Sequence, residues 1–184
     1  DWSKVAYRLS QATAMLTTWD GEGFCSGFSI DNKRDYLLTA SHCVHVNEAY
    51  GGILVDHTPA VLIADRPEED VAVLYVEGMD RPELKPRRKL IKVGMEVGSF
   101  GFAREDGLFS HFRAGNVAGI GSVSGFEGVW IITDQTTTGG MSGGPVVDTD
   151  GNVVTINQLS DRQRSAIGRD IGSIYRETRT YWRQ

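Results

Sequence analysis

The sequence is poor in cysteine: only Cys25 and Cys43 occur among its 184 residues, 18 positions apart. A structural zinc site needs about four ligands, usually in closely spaced pairs, so this spacing does not predict a zinc site. The spacing alone fits one disulfide or two buried thiols equally well.

Long apolar runs and an excess of positive charge are also missing. No apolar stretch approaches the ~20 residues that span a bilayer, so we expect no membrane insertion. The net charge of -5 at pH 7 disfavours nucleic acid or anionic lipid as the main partner. A local basic run, Lys85–Lys89, is interpreted as a solvated linker.

An initiator Met is absent, because the chain begins Asp1-Trp2-Ser3-Lys4. These residues do not resemble a signal peptide. We therefore expect a processed or excised form, and a leader removed earlier remains compatible with the sequence.

What the sequence does contain is typical of a globular protein, with 40% hydrophobic and 23% charged residues. Short apolar stretches follow one another at about ten-residue spacing in the first half, with turn residues between them, and this pattern predicts an all-β sandwich or barrel. The predicted strands are Phe24–Ile30, Tyr36–Ala40, Ile53–Val55, Ala60–Ala64, Val71–Val76, Met95–Phe102, Gly115–Val123, Val129–Thr133, Pro145–Val147 and Val153–Ile156.

Residues 79–90 differ from both flanks, with two prolines, many charges and few apolar side chains. We interpret them as a linker between an N-terminal lobe, residues 1–78, and a C-terminal lobe, residues 91–184. The end of the chain, Ser173–Trp182, has no Gly or Pro and places its apolar residues at helical spacing. It predicts a short C-terminal helix.

Three polar residues occur in specific settings: His42 follows an apolar strand, Asp70 precedes another, and Ser142 lies among four glycines. Each setting alone has an ordinary structural explanation, as a buried histidine, a turn acid or a flexible loop. Together they meet the needs of a serine nucleophile, which requires an imidazole base and a carboxylate to orient that base. The combination therefore favours catalysis.

The segments around these residues, T-A-S-H-C, D-V-A-V-L and G-G-M-S-G-G-P-V-V, resemble the chymotrypsin-like (trypsin-like) serine proteases. Their spacing is similar to that of compact bacterial and HtrA-type members. The resemblance implies two six-stranded antiparallel β-barrels with the site between them. It also implies that His42 is the general base, Asp70 the orienting acid and Ser142 the nucleophile. The remaining histidines, His45, His57 and His111, are expected to be surface or structural residues.

The resemblance also assigns roles to the glycine loop and the cysteines. The backbone N–H groups of Gly140 and Ser142 are expected to form the oxyanion hole. Cys25 and Cys43 match a pair that forms a disulfide in many trypsin-like relatives. A disulfide here favours an oxidising compartment, so we expect a secreted or extracytoplasmic protein.

The sequence departs from the digestive and clotting branch at two positions. Met141 stands where that branch has the Asp that binds a newly freed N-terminus, so activation by N-terminal insertion is not expected. Thr136 stands at the pocket base where a trypsin-type pocket carries Asp, which disfavours strong basic specificity.

The remaining substrate-binding residues follow from the same alignment. Thr137 and Thr138 neighbour the pocket base, while Asn157, Gln158 and Leu159 are expected to form the edge that pairs with the substrate backbone. We expect a small or medium uncharged residue before the cleaved bond. An acid brought in from elsewhere, Asp161 or Asp170, would change that preference.

The sequence therefore predicts a serine endopeptidase that acts on protein or peptide substrates through an acyl-enzyme. No metal, nucleotide or other cofactor is expected, since the loop Asp148–Asn152 is better explained as a hairpin turn than as a calcium site. No PDZ-like segment is expected within the chain. Two alternatives stay open: a protease-fold binding or assembly module, and a viral-type protease that processes itself once.

Overall fold

Strands dominate the computed structural model, which describes residues 1–45, 52–104, 108–137, 139–161 and 165–184. The first seven strands form one antiparallel sheet with the spatial order β5-β4-β1-β2-β3-β7-β6. These strands are β1 Thr13–Thr17, β2 Gly23–Asp31, β3 Tyr36–Thr39, β4 Leu54–Val55, β5 Thr58–Pro59, β6 Val61–Arg66 and β7 Val71–Tyr75.

The next seven strands form a second antiparallel sheet with the order β12-β11-β8-β9-β10-β14-β13. Its strands are β8 Glu96–Arg104, β9 Leu108–Gly121, β10 Trp130–Thr136, β11 Pro145–Val147, β12 Val153–Ile156, β13 Leu159–Ser160 and β14 Ser165–Arg169. Both sheets curl into half-barrels, which confirms the predicted all-β chymotrypsin-like class. Each sheet has seven strands, whereas six per barrel were expected. The difference arises because each sheet has an edge strand of only two residues, which is too short to give a sequence pattern.

Among the described residues, three α-helices accompany the sheets: α1 Ser3–Ala12, α2 Ser41–His45 and α3 Ile171–Thr178. The last confirms the predicted C-terminal helix, although it begins two residues earlier and ends in a 3-10 turn over Arg179–Tyr181. In the described part of the chain, no helix has the length and apolarity to cross a membrane.

The residues after the C-terminal helix pack against the first sheet, although they follow the second sheet in sequence. Trp182 is almost fully buried, and its ring centroid lies 6.4 Å from that of Phe28 on β2. The indole N–H of Trp182 donates to Thr178 Oγ1 at 2.8 Å, so this large ring is buried without an unsatisfied donor. Because α3 itself lies against β12, the C-terminal segment contacts both sheets.

One large hydrophobic cluster includes residues of both sheets, for example Phe28 and Leu38 from the first and Phe100 and Ile156 from the second. The segment predicted as a linker also contributes to it, because Leu84 is buried and donates its N–H to Ser29 O at 2.9 Å. The sheets therefore share a core. The division into lobes at residues 78 and 91 stays a prediction.

The turn between β2 and β3 is closed by Asp31. Its carboxylate accepts the backbone N–H of Lys33 and of Arg34, and the Arg34 Nε lies 2.7 Å from Oδ2. Burial by itself raises the pKa of Asp31, but the hydrogen bonds from Arg34 and Lys33 outweigh it and hold the pKa below its ordinary value. The turn is thus held by an ionised side chain.

Candidate active site

Two neighbouring strands bring His42 and Asp70 together. Strand β3 pairs with β7 so that Thr39 lies opposite Ala72. His42 lies in the helix that follows β3, and Asp70 directly precedes β7. Antiparallel pairing places the end of one strand beside the start of the next, so residues 28 positions apart in sequence become neighbours.

The imidazole of His42 is hydrogen-bonded to the Asp70 carboxylate. Nδ1 of His42 lies 2.9 Å from Oδ2 and 3.2 Å from Oδ1, and the backbone N–H of His42 also donates to Oδ1 at 2.9 Å. An ionised carboxylate only accepts hydrogen bonds, so Nδ1 carries the hydrogen and Nε2 is left as the basic nitrogen. Asp70 is 6% exposed, whereas the His42 side chain is 42% exposed.

The glycine loop of the second sheet lies beside this pair. The backbone N–H of Ser26 donates to Ser142 O at 2.8 Å, and that same carbonyl oxygen lies 3.8 Å from Cys43 Sγ. Ser142 is therefore adjacent to the residue that directly follows His42. Its own position is fixed by backbone contacts that cross from one sheet to the other.

Two glycines of the loop have backbone angles that favour glycine, with φ of +96° at Gly140 and +87° at Gly143. A Cβ at Gly143 would lie 2.1 Å from Ser26 O and 2.4 Å from Thr39 Oγ1. The loop is thus packed directly on the first sheet and is not merely flexible. Ser26 Oγ also donates to Gly140 O at 2.9 Å, which orients the following peptide group.

Cys25 and Cys43 form a disulfide with a Cα–Cα distance of 6.1 Å, which confirms the predicted pairing. The bond joins β2 to the helix that carries His42. A ring nitrogen of His42 and the two sulfurs lie within 4.8 Å of one another. Because both sulfurs are in the disulfide, neither can act as the thiolate ligand that a soft metal requires.

The predicted substrate-binding residues lie in two segments. Thr136 ends β10, with its backbone paired to Ser165 on β14, and Thr137 follows it half-buried. The Thr136 side chain and all of Thr138 lie outside the described residues. The second segment, Asn157–Leu159, runs from the end of β12 into β13.

The three side chains of the second segment have different environments. Gln158 is buried and donates to Glu69 O and Asp70 O, so a substrate would meet its backbone and not its amide. Asn157 is 3% exposed, and neither of its side-chain amide atoms has a hydrogen-bond partner among the described residues. Leu159 is half-buried on the edge strand β13.

The two acids considered as alternative pocket charges have structural contacts. Asp161 accepts the backbone N–H of Ser165 at 2.8 Å. Asp170 precedes α3, and its carbonyl oxygen accepts the N–H of Ser173 and of Ile174.

An apolar cavity of about 450 Å³ lies beside His42, with Pro67, Phe126 and Leu159 among its lining residues. Phe126 was not predicted as a site residue, and its ring centroid lies 5.2 Å from that of Trp130. It belongs to the loop between β9 and β10, where sequence offers no periodic signal that would connect it to His42.

The chain is similar to known proteins in sequence and in fold. The trypsin-like peptidase domain model matches residues 25–156. A probable periplasmic serine endoprotease, DegP-like, from Pseudomonas fulva is 35% identical over 159 residues, covering 81% of this chain and 32% of that protein. The active form of the Rv3671c protease from M. tuberculosis superposes with a TM-score of 0.82 at 17% identity, covering 98% of this chain and 85% of that one. The HtrA-type protease AlgW with a tripeptide has a TM-score of 0.81 at 25% identity, covering 98% and 62%.

The chain spans a third or less of the length of the curated relatives that it matches. The likeness to the M. tuberculosis structure shows the fold. The family match shows more than the fold, because it covers most of the chain and includes the segments around His42, Asp70 and Ser142. The chain belongs to the trypsin-like peptidase domain family, and its relatives include HtrA-type and DegP-like serine proteases.

Proposed function

We propose that the protein is a serine endopeptidase that uses Ser142, His42 and Asp70. The observation that carries the proposal is the hydrogen bond between the His42 imidazole and the Asp70 carboxylate. The backbone carbonyl oxygen of Ser142 lies beside Cys43, the residue that follows His42. A partly exposed imidazole whose Nδ1 is held by a buried acid is the arrangement that a general base needs.

In the proposed reaction, Ser142 Oγ attacks the carbonyl carbon of the substrate while His42 Nε2 accepts the hydroxyl proton. The tetrahedral intermediate carries a negative oxygen, which would accept hydrogen bonds from the N–H groups of Gly140 and Ser142. His42 then protonates the leaving amine as the C–N bond breaks. Water, deprotonated by His42, hydrolyses the resulting ester. Asp70 stabilises the imidazolium in each half of the cycle.

We propose that protein or peptide substrates bind in extended form. Strand β13 lies at the edge of the second sheet, so an extended chain can add to it beside Leu159. The site offers Thr137 and the buried amide of Asn157, and no acid is proposed at the pocket base. A small or medium uncharged residue before the cleaved bond therefore fits best.

An extracytoplasmic location is part of the proposal. The relative from Pseudomonas fulva is named as periplasmic. The disulfide between Cys25 and Cys43 supports the same location, because such bonds persist in oxidising compartments and are rare in the cytosol.

The test is Ser142→Ala. We expect kcat on a peptide or ester substrate to fall by about 10⁶, because removal of the nucleophile eliminates the acyl-enzyme route. Thermal unfolding of both proteins provides the control for folding. Near wild-type turnover by the folded variant would contradict the proposal, and a wild-type protein that binds peptides without turnover would favour a binding module.

A further inference from the structure

The Glu69–Asp70 turn is held from the opposite sheet by the side chains of Gln158 and Arg169. We infer that Gln158 and Arg169 are positioning residues, which fix the Glu69–Asp70 turn so that the Asp70 carboxylate stays on His42. The inference rests on the proposed function only for the catalytic meaning of that contact.

The Asp70 backbone has a conformation that needs support. Its φ of 50° and ψ of 48° are left-handed, an unusual state for a residue other than glycine. It ends the 3-10 turn Pro67–Glu69, and its own N–H donates to Pro67 O at 3.0 Å. A strained residue of this kind persists only where its surroundings determine its geometry.

Gln158 supplies part of that support through every polar atom of its side chain. Nε2 donates to Glu69 O at 2.6 Å and to Asp70 O at 2.8 Å, and Oε1 accepts the backbone N–H of Arg169 at 2.6 Å. The amide therefore joins the turn in the first sheet to β14 in the second. With 4% exposure, it does so where water does not compete for these bonds.

Arg169 holds the side chain of the same turn. Its Nε lies 2.5 Å from Glu69 Oε2 and its Nη2 lies 3.3 Å from Oε1, a two-pronged ion pair. Nη2 also donates to Ser173 Oγ at 3.0 Å, and Nη1 donates to the carbonyl oxygen of Glu127. The ion pair is buried, with side-chain exposures of 8% for Arg169 and 10% for Glu69.

Together these contacts restrain both the backbone and the side chain just before the catalytic acid. In the described part of the chain, the hydrogen bonds of the Gln158 and Arg169 side chains reach the Glu69–Asp70 turn and none reaches His42, so each is inferred to act through Asp70. The relative position of the sheets is thereby coupled to the distance between His42 and the Asp70 carboxylate. Contacts that served stability alone could restrain any turn. Here they restrain the turn that carries Asp70.

The first experiment compares Gln158→Met with wild type. We expect kcat to fall by ~10–100-fold with KM little changed, because a small displacement of Asp70 impairs the chemical step more than substrate binding.

Gln135→Met is the matched control. Gln135 is equally buried, and its Nε2 donates to two backbone carbonyls, Val97 O and Arg113 O, within the second sheet. Its loss is expected to lower thermal stability comparably and to leave kcat and KM near their wild-type values. If both variants lower kcat alike, or if neither does, the inference is wrong.

A second pair of variants keeps the test independent of turnover. Arg169→Lys retains the positive charge but loses the two-pronged contact with Glu69, and Arg169→Met loses both. The effect of Arg169→Met should therefore be larger than that of Arg169→Lys. The readout is the low-field ¹H NMR signal of the His42 Nδ1 proton, which reports its hydrogen bond to Asp70 in folded protein. A broadened or upfield signal in the order Lys, then Met, supports the inference even if wild type has no peptidase activity. An unchanged signal in folded Arg169→Met overturns it.

Discussion

Asn157 and Gln158 are neighbouring buried amides with opposite hydrogen-bonding states. Every polar atom of the Gln158 side chain has a partner, whereas neither amide atom of Asn157 has one among the described residues. The Gln158 amide therefore connects the turn that carries Asp70 to β14, whereas the amide of Asn157 makes no such connection in the described part of the chain.

A fully satisfied polar network in a buried place is rigid, which suits groups that must hold one geometry through the reaction. A buried amide without a partner costs about 1–3 kcal/mol of stability. The comparison predicts that changes on the two sides will have effects of different size and, for stability, of different sign.

The largest effect is expected on the Asp70 side. Asp70→Asn should lower kcat by about 10⁴, because an amide that replaces the carboxylate favours the wrong imidazole tautomer. Asp65→Asn is the control, since Asp65 lies 2.5 Å from a ring nitrogen of His45 in a second His–Asp pair. Steady-state kinetics of both variants checks this, and a comparable loss in both would remove the distinction between the pairs.

An intermediate effect is expected from the disulfide that braces the same side. Replacing Cys25 and Cys43 together by alanine should lower the free energy of unfolding by about 3 kcal/mol, for a loop of this length. Denaturant unfolding measures the loss, and reductant should destabilise the wild type but not the variant. A variant as stable as the oxidised wild type would show that the disulfide does not contribute to the free energy of unfolding.

The smallest effect, with the opposite sign, is expected at Asn157. Asn157→Val removes a buried amide without partners, so the free energy of unfolding should rise by about 1 kcal/mol, whereas Gln158→Met should lower it. Denaturant unfolding of both variants measures the change, and destabilisation by Asn157→Val would contradict the contrast between the two amides.

Local patterns in the sequence predict much of this architecture. The ends of β11 and β12 agree with prediction because Asp150-Gly151 marks the turn between them. Strand β1, helix α1 and strand β14 were not predicted. The helix does carry apolar residues at helical spacing, Val5, Leu9 and Ala12, so its signal was present and was missed. Strand β14 contains Gly168 and ends at a charged residue, so it has no strong apolar period.

The proposed catalytic residues were easier to predict from the sequence than the contacts that support them. His42, Asp70 and Ser142 could be singled out because their flanking segments are distinctive. The contact between Glu69 and Arg169 joins residues 100 positions apart, and no local pattern connects them. Such a contact is determined by how the sheets pack, which requires the folded structure.

The most direct test of the central claim is the reaction of the folded protein with a fluorophosphonate, which phosphonylates an activated serine. Intact mass followed by peptide mapping should show one adduct per chain, located on Ser142, with none in Ser142→Ala and slower formation in Asp70→Asn. Folded wild-type protein that forms no adduct, or forms it on another serine, would contradict the assignment of Ser142 as the nucleophile.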